Sequence, residues 1–297
     1  MILILGGLVD SIVAHIVHRL TDRKVPFLIA DPRQFGQTWM LTWERRGGVF
    51  RAWLTQAGQA RSLDDIRSVY VHEATAEMQD APLSSNEVRW LLNSFIENTP
   101  MRVANRLSAT ATNFSKPWQQ QVIAAAGFVT PRTLVTNLPD AAREFYGRCK
   151  RRVIYKSVSA RRSIVQRMTD ADLERLDLLA AGPVQFQEWL PGVDIRVHVM
   201  GSQVYATEIT TEATDYRYSG REEKGRTMSG ITLPEGVSEN CVQLTQALGL
   251  VSAGVDLRRM PAGKYCCFEV NARPAFSFFE QYTGQRIADG LIDALLT

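Results

Sequence analysis

The stretch Phe-Glu-Val-Asn-Ala-Arg-Pro, from Phe268 to Pro274, restricts this chain more than any other segment. It lies in an apolar, β-prone run, so Glu269 and Asn271 point to one face of a strand while Phe268 and Val270 point to the other. A carboxylate and an amide oxygen side by side are hard donors, the kind Mg²⁺ accepts together with phosphate oxygens. Upstream, Gly254-Val-Asp-Leu-Arg258 reads as a second strand and Pro261-Ala-Gly-Lys264 as the intervening turn. Folded as a hairpin, the two strands bring Asp256 close to Glu269 and Asn271. One acid in a strand is most simply an edge charge facing water. Three oxygen donors on one hairpin point to a cation site.

At 297 residues the chain has room for two domains, or for three small subdomains that share a site. Apolar residues make up 45% and charged residues 22%, as in ordinary globular proteins. A net charge of +3 is too small to argue for nucleic acid, and the basic groups Lys150 to Arg152 and Arg161-Arg162 read as solvated surface. Cys149, Cys241, Cys266 and Cys267 show no Cys-x-x-Cys spacing. Cys266 and Cys267, adjacent in a strand, face opposite ways, which fits reduced thiols in a cytoplasmic protein better than a bridge or a shared metal. The apolar start, Met1 to Leu5, is soon followed by Asp10, His15 and Arg19. It is a buried strand, not a signal peptide or membrane span.

Met1 to Leu5, a Gly6-Gly7 turn, a helix over Ser11 to Leu20 capped by Asp10 or Ser11, and a strand over Val25 to Ala30 form a β-α-β opening. That order favours a parallel sheet. The Gly-x-Gly-x-x-Gly dinucleotide spacing is absent. Short strands follow at Phe50 to Leu54 and Ser68 to His72, then a helix at Ser85 to Asn98, with a boundary at Pro100. Helices are expected at Lys116 to Gly127, Pro139 to Tyr146 and from a cap at Thr169 to Asp172, with a strand at Arg152 to Ser157. From Val184 the chain turns β-rich: Val184 to Trp189, Ile195 to Met200, Gln203 to Ile209, Ser252 to Leu257 and Tyr265 to Val270. Helices at Val237 to Leu248 and Gly284 to Leu296 complete the reading.

Lys156 sits inside the apolar run Val153-Ile-Tyr-Lys-Ser157. It either snorkels at a sheet edge or points inward to a phosphate, since burial without a partner is costly. The following Ser157 to Ser163 adds hydroxyls and guanidiniums suited to phosphate oxygens. In Asp194-Ile-Arg-Val-His198 the polar side chains share one strand face, and Gln203 to Ile209 repeats the alternation after a Gly201-Ser202 turn. That face either meets water or lines a site. His198, with no second histidine near it in sequence, reads as packed or solvated.

Taken in order, these segments resemble the ATP-grasp ligases. The similarity is greatest to the branch of the ribosomal-protein glutamate ligase RimK and the macrocyclases that crosslink ribosomal peptides (microviridin-type graspetides). The ordered set is Lys116 ahead of Gly127 and Pro131-Arg-Thr133, Lys156, the linker Gln187-Glu-Trp-Leu190, Asp194-x-Arg196, Asp215-Tyr-Arg217, and then Asp256, Glu269 and Asn271. No single member is specific, but the order is. The resemblance runs from about Asn98 to the C-terminus, more loosely over the first 100 residues.

It implies an α/β (α+β) ATP-grasp fold: an N-terminal pre-ATP-grasp α/β domain over residues 1–99, a central lid-like subdomain over 100–185 and a C-terminal antiparallel-sheet subdomain over 186–297. By the same resemblance Lys116 and Lys156 contact ATP phosphates, the backbone from Gln187 through Glu188 and Trp189 to Leu190 meets the adenine edge, and Asp194 takes the ribose. Arg196 and Arg217 act on the γ-phosphate and an acyl phosphate, while Asp256, Glu269 and Asn271 hold Mg²⁺, two ions in such enzymes. The implied reaction joins a carboxylate donor to an amine acceptor, or to a hydroxyl as an ester, with a ribosomal peptide or protein among the candidate substrates. Neither nucleic acid nor a membrane is implied; a homo-oligomer is allowed.

The chain also departs from the family pattern. Ser157 to Ser163 contains no glycine, where many relatives have a glycine-rich loop over the phosphates. Arg273 adds a cation beside the metal set. The Arg-Arg-Pro of the macrocyclase branch has no counterpart at Val71-His-Glu-Ala-Thr75. Glu208, His198 or the phosphate itself are the candidate bases. The strip from Asp215 to Thr227 mixes charges and glycines; it reads as a substrate-closing loop or as solvated surface. A phosphotransferase and a non-catalytic nucleotide-dependent binding module are the alternatives on the same scaffold.

Overall fold

The computed structural model describes residues 1–72, 83–158, 165–210 and 227–297. Strand β1 (Ile2–Leu5) leads into helix α1 (Ser11–Asp22). Asp10 caps this helix, its Oδ1 accepting from the N–H groups of Ile12 and Val13 at 2.8 and 3.1 Å. Ile12, Val13, Ile16 and Leu20 recur at helical spacing and are buried. Strand β2 (Phe27–Ala30) follows, then an antiparallel ribbon absent from the sequence reading except for its middle strand: β3 (Trp39–Arg46), β4 (Val49–Gln56) and β5 (Gln59–Ser62). β6 (Ser68–Val71), α2 (Leu83–Asn98) and β7 (Arg102–Ala104) complete the first region. β1, β2, β6 and β7 form one parallel sheet in the order β2-β1-β6-β7, as the β-α-β opening requires.

A second, antiparallel sheet has the order β10-β9-β11-β8, built from β8 (Thr133–Thr136), β9 (Val153–Ser157), β10 (Gln166–Arg167) and β11 (Val184–Glu188). Helix α3 (Lys116–Ala125) precedes it and α4 (Pro139–Arg148) packs on it. The cap expected at Thr169 is present as a reciprocal box with Asp172, but it opens a 3₁₀ helix over Asp170–Ala181 instead of an α-helix. Phe145, Val153 and Phe186 belong to the separate core of this sheet.

The third sheet, order β14-β13-β12-β15-β16, is antiparallel throughout: β12 (Val193–Met200), β13 (Gln203–Thr210), β14 (Thr227–Ile231), β15 (Ser252–Arg259) and β16 (Tyr265–Asn271). Its inner face, with Ile195, Val197, Val255 and Val270, packs under α5 (Glu235–Ala247). The expected C-terminal helix is present as α7 (Ile287–Leu296), starting three residues later, and a helix not expected from sequence, α6 (Ser277–Thr283), precedes it. Gly284, expected to begin a helix, ends one: at φ +69° it takes the left-handed position that glycine adopts without strain and closes α6.

The first and third sheets share one core, in which Ile2, Ile4, Ile16, Phe276, Ile287 and Leu291 meet. Ion pairs join the same elements across its rim: Arg19 to Asp289 at 2.9 Å, Arg23 to Asp293 at 2.5 Å, and His15 with Glu280. Asn105, just past β7, is the polar pin of this joint. Its Nδ2 donates to the carbonyls of Ser252 (2.7 Å) and Ala272 (2.6 Å), and its Oδ1 accepts from the N–H groups of Val251 (2.7 Å) and Ser252 (3.1 Å). Asn105 is 3% exposed, so no water replaces these bonds readily. Asn105→Ala should therefore lower unfolding free energy by about 3 kcal/mol, the cost of a few buried unsatisfied groups. Urea denaturation would show this as a fall in midpoint at constant m.

Candidate functional site

Eight of the twelve site residues expected from sequence line one cleft between the second and third sheets. It is open to solvent and lined by Lys156, Gln187, Glu188, Trp189, Leu190, Asp194, Asp256 and Glu269, together with Ile154, Val165, Ile195, Leu257, Arg258 and Phe268. Strand alternation explains the wall from the second sheet. Lys156 pairs with Gln185 and Ile154 with Gln187, so these four share a face, while Tyr155 and Phe186 turn to the core behind. Lys156 is 7% exposed and points inward, not along an edge. Gln187 is held by Thr133, whose hydroxyl oxygen accepts from Nε2 at 3.1 Å and also from Gln120 at 3.0 Å.

The opposite wall is the hairpin expected from sequence. Asp256 stands directly across from Glu269, and Gly254 across from Asn271. Between Asp256 and Leu257 the register slips: Asp256 opposes Glu269 but Leu257 opposes Cys267, which leaves Phe268 as the extra residue of a β-bulge. The bulge corrects one expectation. Phe268 lines the cleft beside Glu269 instead of facing the core. Asn271 Oδ1 accepts from the Arg273 N–H at 2.9 Å, which orients the amide and leaves its oxygen with a second lone pair.

Arg196 does not line the cleft. It is 7% exposed, and its NH1 donates to Asp256 Oδ1 at 2.7 Å. Gly254 makes room for it, since a Cβ there would overlap the guanidinium. Asn271 and Lys116, the first residue of α3, are likewise not among the lining residues. Arg217, the Arg161-Arg162 pair and the strip from Asp215 to Arg226 lie outside the described residues.

Two candidate bases are corrected. Glu208 opposes Ile195, so it lies on the sheet face away from Arg196 and Asp256, and it binds Arg259 at 2.6 Å. His198 is fully buried, its Nε2 3.3 Å from the Ala275 carbonyl and its ring 4.8 Å from Phe279. Burial and, secondarily, the nearby Arg196 push its pKa well below the usual histidine value, so it stays neutral and packed. The cysteines are free and buried, and burial pushes Cys241 and Cys266 up to about 12, in keeping with inert thiols.

Sequence reasoning misses Arg258, although period-two alternation places it on the face of Asp256. Its Nε and NH2 grip Asp194 Oδ1 at 2.8 and 2.7 Å, its NH1 donates to the Leu190 carbonyl at 2.8 Å, and its guanidinium lies 5.1 Å from the Phe268 ring. One side chain thus fixes the linker to Asp194. Arg167, on edge strand β10, stacks over the Trp189 ring at 4.5 Å.

Asp256, Glu269 and Asn271 fit Mg²⁺. They are two carboxylates and an amide oxygen on one face of a hairpin, with both carboxylates open to the cleft where phosphate oxygens and water complete the shell. The described residues contain no group of three or more His, Cys, Asp or Glu placed to hold a metal ion, so the donor set at this hairpin is two carboxylates and an amide. Nor is any described helix long and apolar enough to cross a membrane.

A basic wall facing a carboxylate hairpin across an open cleft, with a linker joining the two sheets, is the architecture of an ATP-grasp ligase. The RimK-like ATP-grasp domain matches residues 115–295, most of the chain, and the chain belongs to this family. The solved structure of the ATP-grasp ligase PsnB with minimal precursor, Mg and ADP superposes with a TM-score of 0.83 at 28% identity, covering 99% of this chain and 96% of that one. The macrocyclase MdnC of Microcystis aeruginosa, bound with precursor peptide MdnA, shares the fold at a TM-score of 0.80 and 18% identity, covering 99% and 98%. A probable alpha-L-glutamate ligase of Haemophilus influenzae is 35% identical over 108 residues, which is 36% of this chain and 35% of that protein. Across relatives matched by sequence the aligned part spans 35% to 57% of their length.

The Arg258 clamp has a measurable consequence. Arg258→Leu should raise KM for ATP about tenfold, near 1.4 kcal/mol, with little change in kcat, because it frees Asp194 and the linker without touching the transferred phosphoryl group. Initial rates of ADP release against ATP concentration would check this.

Proposed function

We propose that this protein is an ATP- and Mg²⁺-dependent carboxylate–amine ligase that acts on a peptide. The observation that carries the reading is the convergence of Lys156 with Asp256 and Glu269 on one cleft, beside a linker suited to a nucleobase. PsnB and MdnC are solved with precursor peptides, which favours a peptide over a free amino acid as substrate.

Amide formation from a carboxylate and an ammonium is uphill in water, and coupling it to loss of phosphate makes it favourable. The donor carboxylate attacks the γ-phosphorus of ATP, ADP leaves, and the amine then displaces phosphate from the acyl phosphate. The protein's part is positioning and charge neutralisation. Lys156 places a cation on the phosphates, and Lys116 adds a second from the start of α3. Asp194, held by Arg258, takes the ribose. The N–H groups of Glu188 and Trp189 already donate to the carbonyls of Arg132 and Arg152 at 2.9 Å, and the Leu190 carbonyl accepts from Arg258. The adenine edge is therefore read by the Glu188 carbonyl and the Leu190 N–H. Asp256, Glu269 and Asn271 would hold Mg²⁺, which would supply neutralisation of the charge on the transferred group. Arg196 keeps Asp256 aimed at that ion, and Arg217 is assigned to the phosphoryl group by sequence order alone.

Hydroxylamine trapping tests this reading. Protein, ATP and Mg²⁺ incubated with acidic peptides should yield hydroxamates by mass spectrometry, and Glu269→Gln should reduce ADP release at least 10²-fold. A stable phosphorylated product without hydroxamate would establish a kinase instead. Full ADP release by Glu269→Gln would remove the metal assignment.

A further inference from the structure

The reaction needs an acceptor for the proton of the incoming ammonium, and neither His198 nor Glu208 is placed for it. Another group is present where the first and third sheets meet. His72 follows β6, the strand beside β1 at the centre of the parallel sheet, and its side chain is 7% exposed. Its Nε2 lies 3.2 Å from Asp10 Oδ2 and its Nδ1 3.1 Å from the Tyr70 hydroxyl. Asp10 is itself anchored, since its other oxygen caps α1. With Asp10 ionised, Nε2 carries the hydrogen and Nδ1 presents its lone pair to Tyr70, so a carboxylate, an imidazole and a phenol stand in line.

The line borders a narrow cavity whose walls include Tyr70, His72, Arg273, Pro274 and Phe276. This cavity adjoins the metal hairpin. Tyr70 is the register partner of Ala104 across strands about 4.8 Å apart. The next residue, Asn105, bonds the Ala272 carbonyl at 2.6 Å, and Ala272 follows Asn271. Arg273, on the cavity wall, donates its N–H to Asn271. Among the described residues, the charged or titratable groups around His72 are Asp10 from α1, Tyr70 from β6 and Arg273 from the turn after β16.

Resting on the ligase reading above, we infer that Asp10, His72 and Tyr70 form the proton relay that activates the amine acceptor. The ammonium gives a proton to the Tyr70 oxygen as the phenol proton passes to His72 Nδ1, and Asp10 stabilises the imidazolium. The freed lone pair forms the C–N bond, and the acyl C–O bond breaks with its electron pair leaving on phosphate. Arg273 is the cation that orients the donor carbonyl between the relay and the metal.

Two nucleophiles separate this step from the one before it. Hydroxylamine is largely neutral at neutral pH and needs no prior proton removal. n-Propylamine, with a pKa near the lysine value of about 10.4, does. With a glutamate-rich peptide as carboxylate probe, the ratio of propylamide to hydroxamate formed should fall about 10²-fold in His72→Gln and in Tyr70→Phe, the range for loss of general base catalysis. Asp10→Asn, which keeps the helix cap, should lower the ratio less. Hydroxamate formation by each variant reports that it is folded. A hydroxamate with an unchanged ratio in either His72→Gln or Tyr70→Phe overturns the relay alone. No hydroxamate from the wild-type protein removes the ligase reading, and the relay with it.

Discussion

The third sheet is organised around the contact between Arg196 and Asp256. The two are cross-strand partners on β12 and β15, their charges meet at 2.7 Å, and both are largely withdrawn from water. Removing one member of such a pair costs about 3–5 kcal/mol, because the other charge stays withdrawn from water without its cross-strand counterpart. Gly254 is what admits the guanidinium, since any side chain there would occupy its place. The pair also sets the charge of the metal wall. Arg196 cancels one of the two carboxylates, so Asp256, Glu269 and Arg196 together carry a single net negative charge. A divalent cation there keeps a net positive charge with which to attract phosphate, which two uncompensated carboxylates would abolish.

A second ion pair does for the nucleotide side what the first does for the metal side. Arg258 lies two residues from Asp256 on the same strand, so one strand of the sheet serves both halves of the cleft. It reaches the linker because the chain passes very close at Gly192, where a Cβ would collide with Arg258 and with the backbone of Arg259. Glycine at 192 is therefore required both by space and by its φ of +151°. Without that close approach the Leu190 carbonyl would stand beyond the guanidinium, and the linker would be tied to β11 alone.

Much of this was legible in the sequence because it depends on strand alternation, which period two makes visible. The opposition of Asp256 to Glu269, the inward Lys156 and the polar face of Asp194 and Arg196 all follow from it. The exceptions have physical causes. Phe268 turns to the cleft through a bulge, and a bulge reverses alternation without leaving a sign in residue type. Glu208 falls on the wrong face because the register Ile195 to Glu208 is set by pairing, and reading the turn alone does not fix which residues oppose. The Arg196–Asp256 pair, the Arg258 clamp and the Asn105 pin connect residues 60 to 167 positions apart, so no local pattern announces them. His72 drew notice only for lacking the arginines of the macrocyclase branch.

These long-range contacts also divide the molecule in a way that suits the chemistry. Ile2, Ile4, Phe276 and Leu291 belong to one core, so the metal hairpin and the Asp10–His72–Tyr70 line are parts of one packed body. The Arg19–Asp289 and Arg23–Asp293 pairs fasten its rim. The second sheet, with Lys156 and the linker, has its own core around Phe145 and Phe186 and meets the third sheet through narrow contacts: the Val129–Cys266 bridge, the linker and Arg258. A packed core transmits displacement and resists it, whereas a few hydrogen bonds at a linker do not. The spacing between the Asp256–Glu269 hairpin and the Asp10–His72–Tyr70 line is therefore fixed by apolar packing. The grip on the nucleotide depends on polar contacts that can loosen when ADP must leave.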